Sequence, residues 1–157
     1  MRGKTCRKGP LHAAALAAAL AFSPISVTAQ EKMVERSFAT ALIRDVLAAV
    51  NHGNWTGNYT VVRDYAAADF AAANDPTRLA GLFVQLRAER LDLTRVLVTD
   101  PVILNAQLTE GQDQMRLTGY FPLQPDHVSF DLTFAQEGSR WLLTGISVGA
   151  FDAIGPE

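Results

Sequence analysis

Residues 127–134 read His127-Val128-Ser129-Phe130-Asp131-Leu132-Thr133-Phe134. Val128, Phe130, Leu132 and Phe134 are large and apolar, and the residues between them are small or polar. Side chains of an extended chain point alternately to its two faces, so this period of two predicts a strand with one buried and one polar face. After it, Glu137-Gly138-Ser139 reads as a turn into a last strand, Trp141 to Val148. Before it, Met115 to Leu123 reads as a strand, with Pro122 and Pro125 framing the connection. Glu110-Gly111-Gln112-Asp113 reads as the preceding turn. Val96 to Leu104 is rich in β-formers but interrupted by Asp100-Pro101, which predicts an edge strand, a bulge or a bend. Four strands at short spacing predict an antiparallel meander. Met115, Leu117 and Phe121 align with the apolar face. Arg116, Thr118, Tyr120, Asp131 and Thr133 share the other, where Arg116 and Asp131 can pair across neighbouring strands.

Upstream of Leu91 the period is 3.6. Phe38, Leu42, Val46 and Val50 make one helical stripe, with Ile43 and Leu47 beside it, and Asn51-His52-Gly53 reads as its stop. A second, shorter periodic segment holds Trp55, Tyr59, Val62 and Ala66. Ala66 to Asn74 is rich in small residues and reads as helix or loop. Asp75-Pro76 is an N-cap followed by proline at the first helical position. The helix it starts carries Leu79, Leu82, Phe83 and Leu86 on one face and Arg78, Gln85 and Arg87 away from it. Three helices followed by a meander predict an α+β domain with the helices packed on one sheet face.

The first residues read differently. Met1 to Pro10 carries Arg2, Lys4, Arg7 and Lys8 with no acid, Leu11 to Phe22 is an Ala/Leu run, and small residues end the stretch at Val27-Thr28-Ala29. This is the pattern of a secretory signal peptide cleaved after Ala29. The apolar run is shorter than the roughly 20 residues of a membrane span. Residues 30–157 then form a single domain, periplasmic or secreted. Four of the 14 basic residues and none of the 16 acidic ones precede Gln30, so the mature part carries ten against sixteen, a net charge of -6. That balance argues against nucleic acid and against an anionic membrane surface once the leader is removed. The one cysteine, Cys6, leaves with the leader, so the mature part has no disulfide and no thiolate chemistry.

The order of elements resembles the nuclear transport factor 2-like (cystatin-like α+β) superfamily over about residues 37–150. The resemblance is carried by the Phe38–Val50 helix, the Trp55–Ala66 segment, the Asp75-Pro76 helix start, and the strands "MRLTGYFPL", "HVSFDLTF" and "RWLLTGISV". It implies three N-terminal helices packed on a curved four-stranded antiparallel sheet, a cone-shaped roll. It also implies that the outer sheet face can serve as a homodimer contact. The superfamily includes isomerases, dehydratases, cyclases and binding modules, so it names no activity.

Gly145-Ile146-Ser147-Val148-Gly149 matches G-x-S-x-G, but a nucleophile elbow needs a following helix and a later histidine, and neither fits in the eight residues that remain. His52 sits near a helix end, where a cation suits the dipole. His127 beside Asp126 reads as a turn pair ahead of an acid/base pair. Neither histidine has metal-ligand spacing, so no metal and no cofactor is expected. Asn54-Trp55-Thr56 and Asn58-Tyr59-Thr60 match the glycosylation sequon but overlap a helical segment under a leader of bacterial style. Three functional readings follow. The leading one is a non-catalytic exported domain that works by association, with itself or another exported protein, or by binding. The second is an isomerase or lyase with Asp64 or Asp69 as base and Tyr65 as donor, which needs an inward-facing carboxylate beside a cavity. The third is an apolar-ligand carrier lined by Trp55, Tyr59, Phe83, Phe130 and Phe134, residues that also fall at core spacing.

Overall fold

A computed structural model describes residues 34–109 and 111–153, so the leader and Glu110 lie outside the described residues. The described chain is α+β. Five helices come first: α1 (Arg36–Thr56), α2 (Thr60–Asp64), α3 (Ala68–Ala73), α4 (Pro76–Leu82) and α5 (Val84–Ala88). A 3-10 helix at Leu93–Leu97 leads into β1 (Val102–Leu108), β2 (Gln114–Phe121), β3 (Asp126–Glu137) and β4 (Arg140–Asp152). The strands form one open antiparallel sheet in the order β1-β2-β3-β4.

The alternation in β3 works as its spacing predicts. Val128, Phe130, Leu132 and Phe134 are buried, as are Met115, Leu117 and Phe121 across the β2–β3 ladder. They join Ile43, Val46, Leu47 and Val50 of α1 and Leu79, Phe83 and Leu86 in one core. On the opposite face the Arg116 guanidinium donates to both carboxylate oxygens of Asp131, at 3.0 and 2.6 Å. The register makes this pair diagonal, because Arg116 lies opposite Thr133 and Asp131 opposite Thr118. Gly119 lies opposite Phe130, and a Cβ there would stand 2.1 Å from the Val102 carbonyl oxygen. Only a residue without a side chain lets β1 approach at that point.

Several boundaries differ from the sequence reading. Helix α1 does not stop at Asn51-His52-Gly53 but runs on to Thr56. Gly53 is a close-approach glycine: its absent Cβ makes room for the Tyr59 ring. The true cap is Gly57, at φ 73°, whose N–H donates to the Gly53 carbonyl at 2.8 Å. Trp55 therefore belongs to α1, and the expected second helix shrinks to α2. Asp75 caps α4 as read, accepting from the Arg78 N–H at 2.8 Å. The helix it starts breaks at Phe83, so Leu82 is turned out of the face it was assigned to and is exposed.

The segment from Val96 is not a strand before Pro101. Arg44 of α1 donates to the carbonyls of Val96 (3.0 Å) and Thr99 (2.9 Å), and Asn51 accepts from the Leu93 N–H at 3.1 Å. With Leu93 and Val96 buried at helical spacing, these bonds hold the segment to α1 against its β propensity. β1 begins one residue after Pro101, with a register shift between Ile103 and Asn105.

Candidate functional site

The prolonged α1 and the end of α5 meet at a surface groove of about 460 Å³, lined by Asn54, Trp55, Leu86, Arg87, Arg90 and Leu91. That volume lies within the roughly 300–1,000 Å³ of small-ligand sites. Tyr59 is its foundation. The ring is fully buried against Gly53 and stacks on Phe83 with centroids 5.7 Å apart. Its hydroxyl donates to Asn54 Oδ1 at 2.6 Å and accepts from Arg87 at 2.6 Å. The Arg87 guanidinium also lies over the Tyr59 ring, 5.7 Å from its centroid, a cation–π contact. A guanidinium bonded to the hydroxyl of a fully buried ring is preorganised. Among the described residues its remaining N–H groups find no protein acceptor.

Arg90 reaches the groove by an unusual backbone. The Leu91 N–H donates to the Leu86 carbonyl at 3.0 Å and the Arg90 N–H to the Arg87 carbonyl at 3.1 Å. Those two bonds make a Schellman motif closing α5, with Arg90 in the left-handed position that glycine ordinarily fills. Its φ is 52°. Leu91 meanwhile lies beside Leu86 to form the apolar floor. Trp55 stands at the rim with two-thirds of its surface, 67%, open to solvent.

Among the described residues no carboxylate lines the groove. Two helices present their C-terminal ends to it, and the carbonyl end of a long helix carries about half a negative charge. Two guanidinium groups outweigh that, so the groove favours an anion or a strong acceptor. The Asn54 amide nitrogen is buried and has no hydrogen-bond partner among the described residues. Unpaired buried donors are rare and costly, and a ligand or water acceptor is their usual remedy.

The residues singled out in the sequence are dispersed. Of the aromatics, Tyr59 and Phe83 stack together under the groove, whereas Phe130 packs against Phe121 at 5.8 Å and Phe134 is buried elsewhere in the core. They fill the interior. Trp55 does not line it, because the extension of α1 carries it outside. Asp64 is exposed beside Arg63, at 3.2 Å, and Asp69 is exposed on α3. The inward-facing carboxylate that a buried base needs is therefore absent at these two residues. Tyr65 is half-buried and donates to Asp45; burial first, then that bond, pushes its hydroxyl up to about 12. His127 lies 3.1 Å from the Leu123 carbonyl and packs against Tyr120 and Phe151 on the outer face. Gly145 to Gly149 are part of strand β4.

Among the described residues no three His, Cys, Asp or Glu side chains gather as metal ligands, and no helix is long and apolar enough to cross a membrane. Arg87 and Arg90 were not legible as site residues. Arg87 meets Tyr59 across 28 positions, and nothing local announces that Arg90 takes a glycine-like conformation. The chain matches no protein-family model, no curated protein and no solved structure.

Proposed function

We propose that this chain is an exported, non-catalytic binding domain of nuclear transport factor 2-like architecture, a curved roll whose interior is packing and whose contacts are made from outside. One contrast carries the reading. The residues that face each other between helices and sheet are apolar, whereas Asp64 and Asp69 stand in solvent and the preorganised Arg87 borders an open groove. Proton transfer inside the roll lacks a base at those positions, and binding at the groove has both an apolar floor and fixed donors. Export, with cleavage after Ala29 and delivery to the periplasm or medium, is supported by the basic, apolar and small-residue segments of the leader. Association with a second copy or another exported protein belongs to the outer sheet face, where Tyr120, His127 and Phe151 cluster.

The test is a comparison of variants in a strain lacking the gene. Replacing Asp64 or Asp69 with Ala is expected to complement fully, and replacing Trp55 or Arg87 is expected to fail. Loss of function in Asp64→Ala or Asp69→Ala, with an unchanged melting temperature, would restore the isomerase or lyase reading. A native mass spectrum of the protein purified from the periplasm is expected to start at Gln30. A mass that retains the leader would remove the export step.

A further inference from the structure

We infer that the groove between the ends of α1 and α5 takes a small organic acid with a flat apolar body, the carboxylate bridging Arg87 and Arg90 and the body lying on Trp55 and Leu91. The inference rests on the binding reading above and adds the chemical class of the ligand. Charge is the first argument: of the described residues six line the groove, two of them arginines and none acidic, in a chain whose overall charge is negative. A guanidinium offers paired N–H groups that match a carboxylate. Shape is the second. An exposed indole at the rim and leucines in the floor suit a planar apolar body, and indole and guanidinium both stack on flat rings.

The third argument is strain. A side chain in the left-handed region costs roughly 1–2 kcal/mol that glycine does not incur. Arg90 occupies that position, at φ 52°, in the last residue before the groove's Leu91. Sparsely populated conformations of this kind concentrate at ligand-binding positions. The Schellman closure would form more readily with glycine, which would carry no guanidinium to the groove. The fourth is the unpaired amide of Asn54, one residue before Trp55.

The probes are 2-naphthoate and its neutral counterpart 2-naphthylmethanol, titrated into the mature protein and followed by ¹H–¹⁵N NMR. The chain has two tryptophans, so two indole N–H resonances report, with Trp141 on β4 as internal control. The acid is expected to move the Trp55 resonance saturably and leave that of Trp141 in place. The alcohol is expected to bind about tenfold or more weakly, as is the acid to Arg90→Gly, since losing a charge-assisted pair removes that much. Arg90→Gly is also expected to melt about 2–4 °C higher than Arg90→Ala, so that weaker binding cannot be ascribed to unfolding. Equal binding of acid and alcohol, or an unaltered affinity in Arg90→Gly, would overturn the anion assignment and leave the groove as an apolar site. Binding of neither probe would remove the groove from the binding reading altogether. Tighter binding of a short peptide with a free C-terminal leucine than of 2-naphthoate would replace the small acid with a partner's terminus.

Discussion

Gly53→Ala sets two physical effects against each other with opposite signs. In the middle of an ordinary helix, alanine in place of glycine gains about 1 kcal/mol. Gly53 is helical, in the last turn of α1, so propensity alone expects stabilisation. The structure expects the reverse. A Cβ at this position would stand 2.6 Å from both Cδ1 and Cε1 of Tyr59, where carbon atoms ordinarily rest about 3.5–4.0 Å apart. The ring must retreat by about 1 Å, yet it is stacked on Phe83 and tied by its hydroxyl to Asn54 and Arg87. Overpacking of this kind costs about 1–3 kcal/mol, and weakening a hydrogen bond to a charged donor adds about 1.5 kcal/mol. Against the propensity gain the net is a loss of about 2 kcal/mol, or about 8 °C in melting temperature for a domain of this size. Thermal and urea unfolding followed by far-UV circular dichroism would measure it. The sign should change in a Tyr59→Ala background, where the same substitution meets no ring and recovers the propensity gain of about 1 kcal/mol. A Gly53→Ala protein more stable than wild type, or an equal loss in both backgrounds, would refute the close-approach argument and with it the rigid seat of Arg87.

Gly119→Ala should be harsher, because the atom in the way is the Val102 carbonyl oxygen, 2.1 Å from the new Cβ, and backbone cannot swing aside without parting β1 from β2. A loss of about 3 kcal/mol or more is expected, read as a broad or absent thermal transition; a cooperative transition near the wild-type midpoint would contradict the register. Acid should destabilise the domain in a defined window. Hydrogen bonds from Ser37 hold Glu35 below its ordinary 4.5, and bonds from Thr94 and Arg116 hold Asp92 and Asp131 below their ordinary 3.8. A carboxylate whose folded value is lowered contributes stability that is complete above the unfolded value and is lost as pH falls through the folded one. Melting temperature should therefore hold between about pH 7 and pH 5 and decline below that range. Glu35→Gln combined with Asp131→Asn should flatten the decline while lowering the plateau, and an unchanged slope would exclude these groups as its cause.

The sheet was legible because its signal is local. In β3 the period-two pattern extends over four consecutive inward residues, and both neighbours of the strand are hydrogen-bonded to it, so nothing in the tertiary structure competes with the pattern. The Arg116–Asp131 pair followed from the same alternation, since two strands that agree on their inner face must also agree on their outer one. The Val96–Thr99 segment failed for the converse reason. Its β-branched residues suit a strand, but Arg44, more than fifty residues away, occupies the carbonyls that strand pairing would need. Propensity describes what a segment does when nothing else claims its backbone.

The groove shows why the site was harder to read than the scaffold. Gly53 and Gly57 are four residues apart in the same helix end, and both suit a stop. One is needed because a ring lies against it, and the other because its φ is 73°. Choosing the first as the terminus moves Trp55 from the last turn of α1 to the start of a new helix, and so from the surface to an imagined interior lining. Arg90 is the opposite case, a residue without turn chemistry in a position that asks for it. The Schellman bonds at Leu91 and Arg90 would form at lower cost with glycine, so the local structure alone does not account for a guanidinium there. Local rules locate elements where sequence and conformation agree. Where they disagree, as at Arg90, the two bonds that close α5 offset the strain, and the side chain so placed borders the groove.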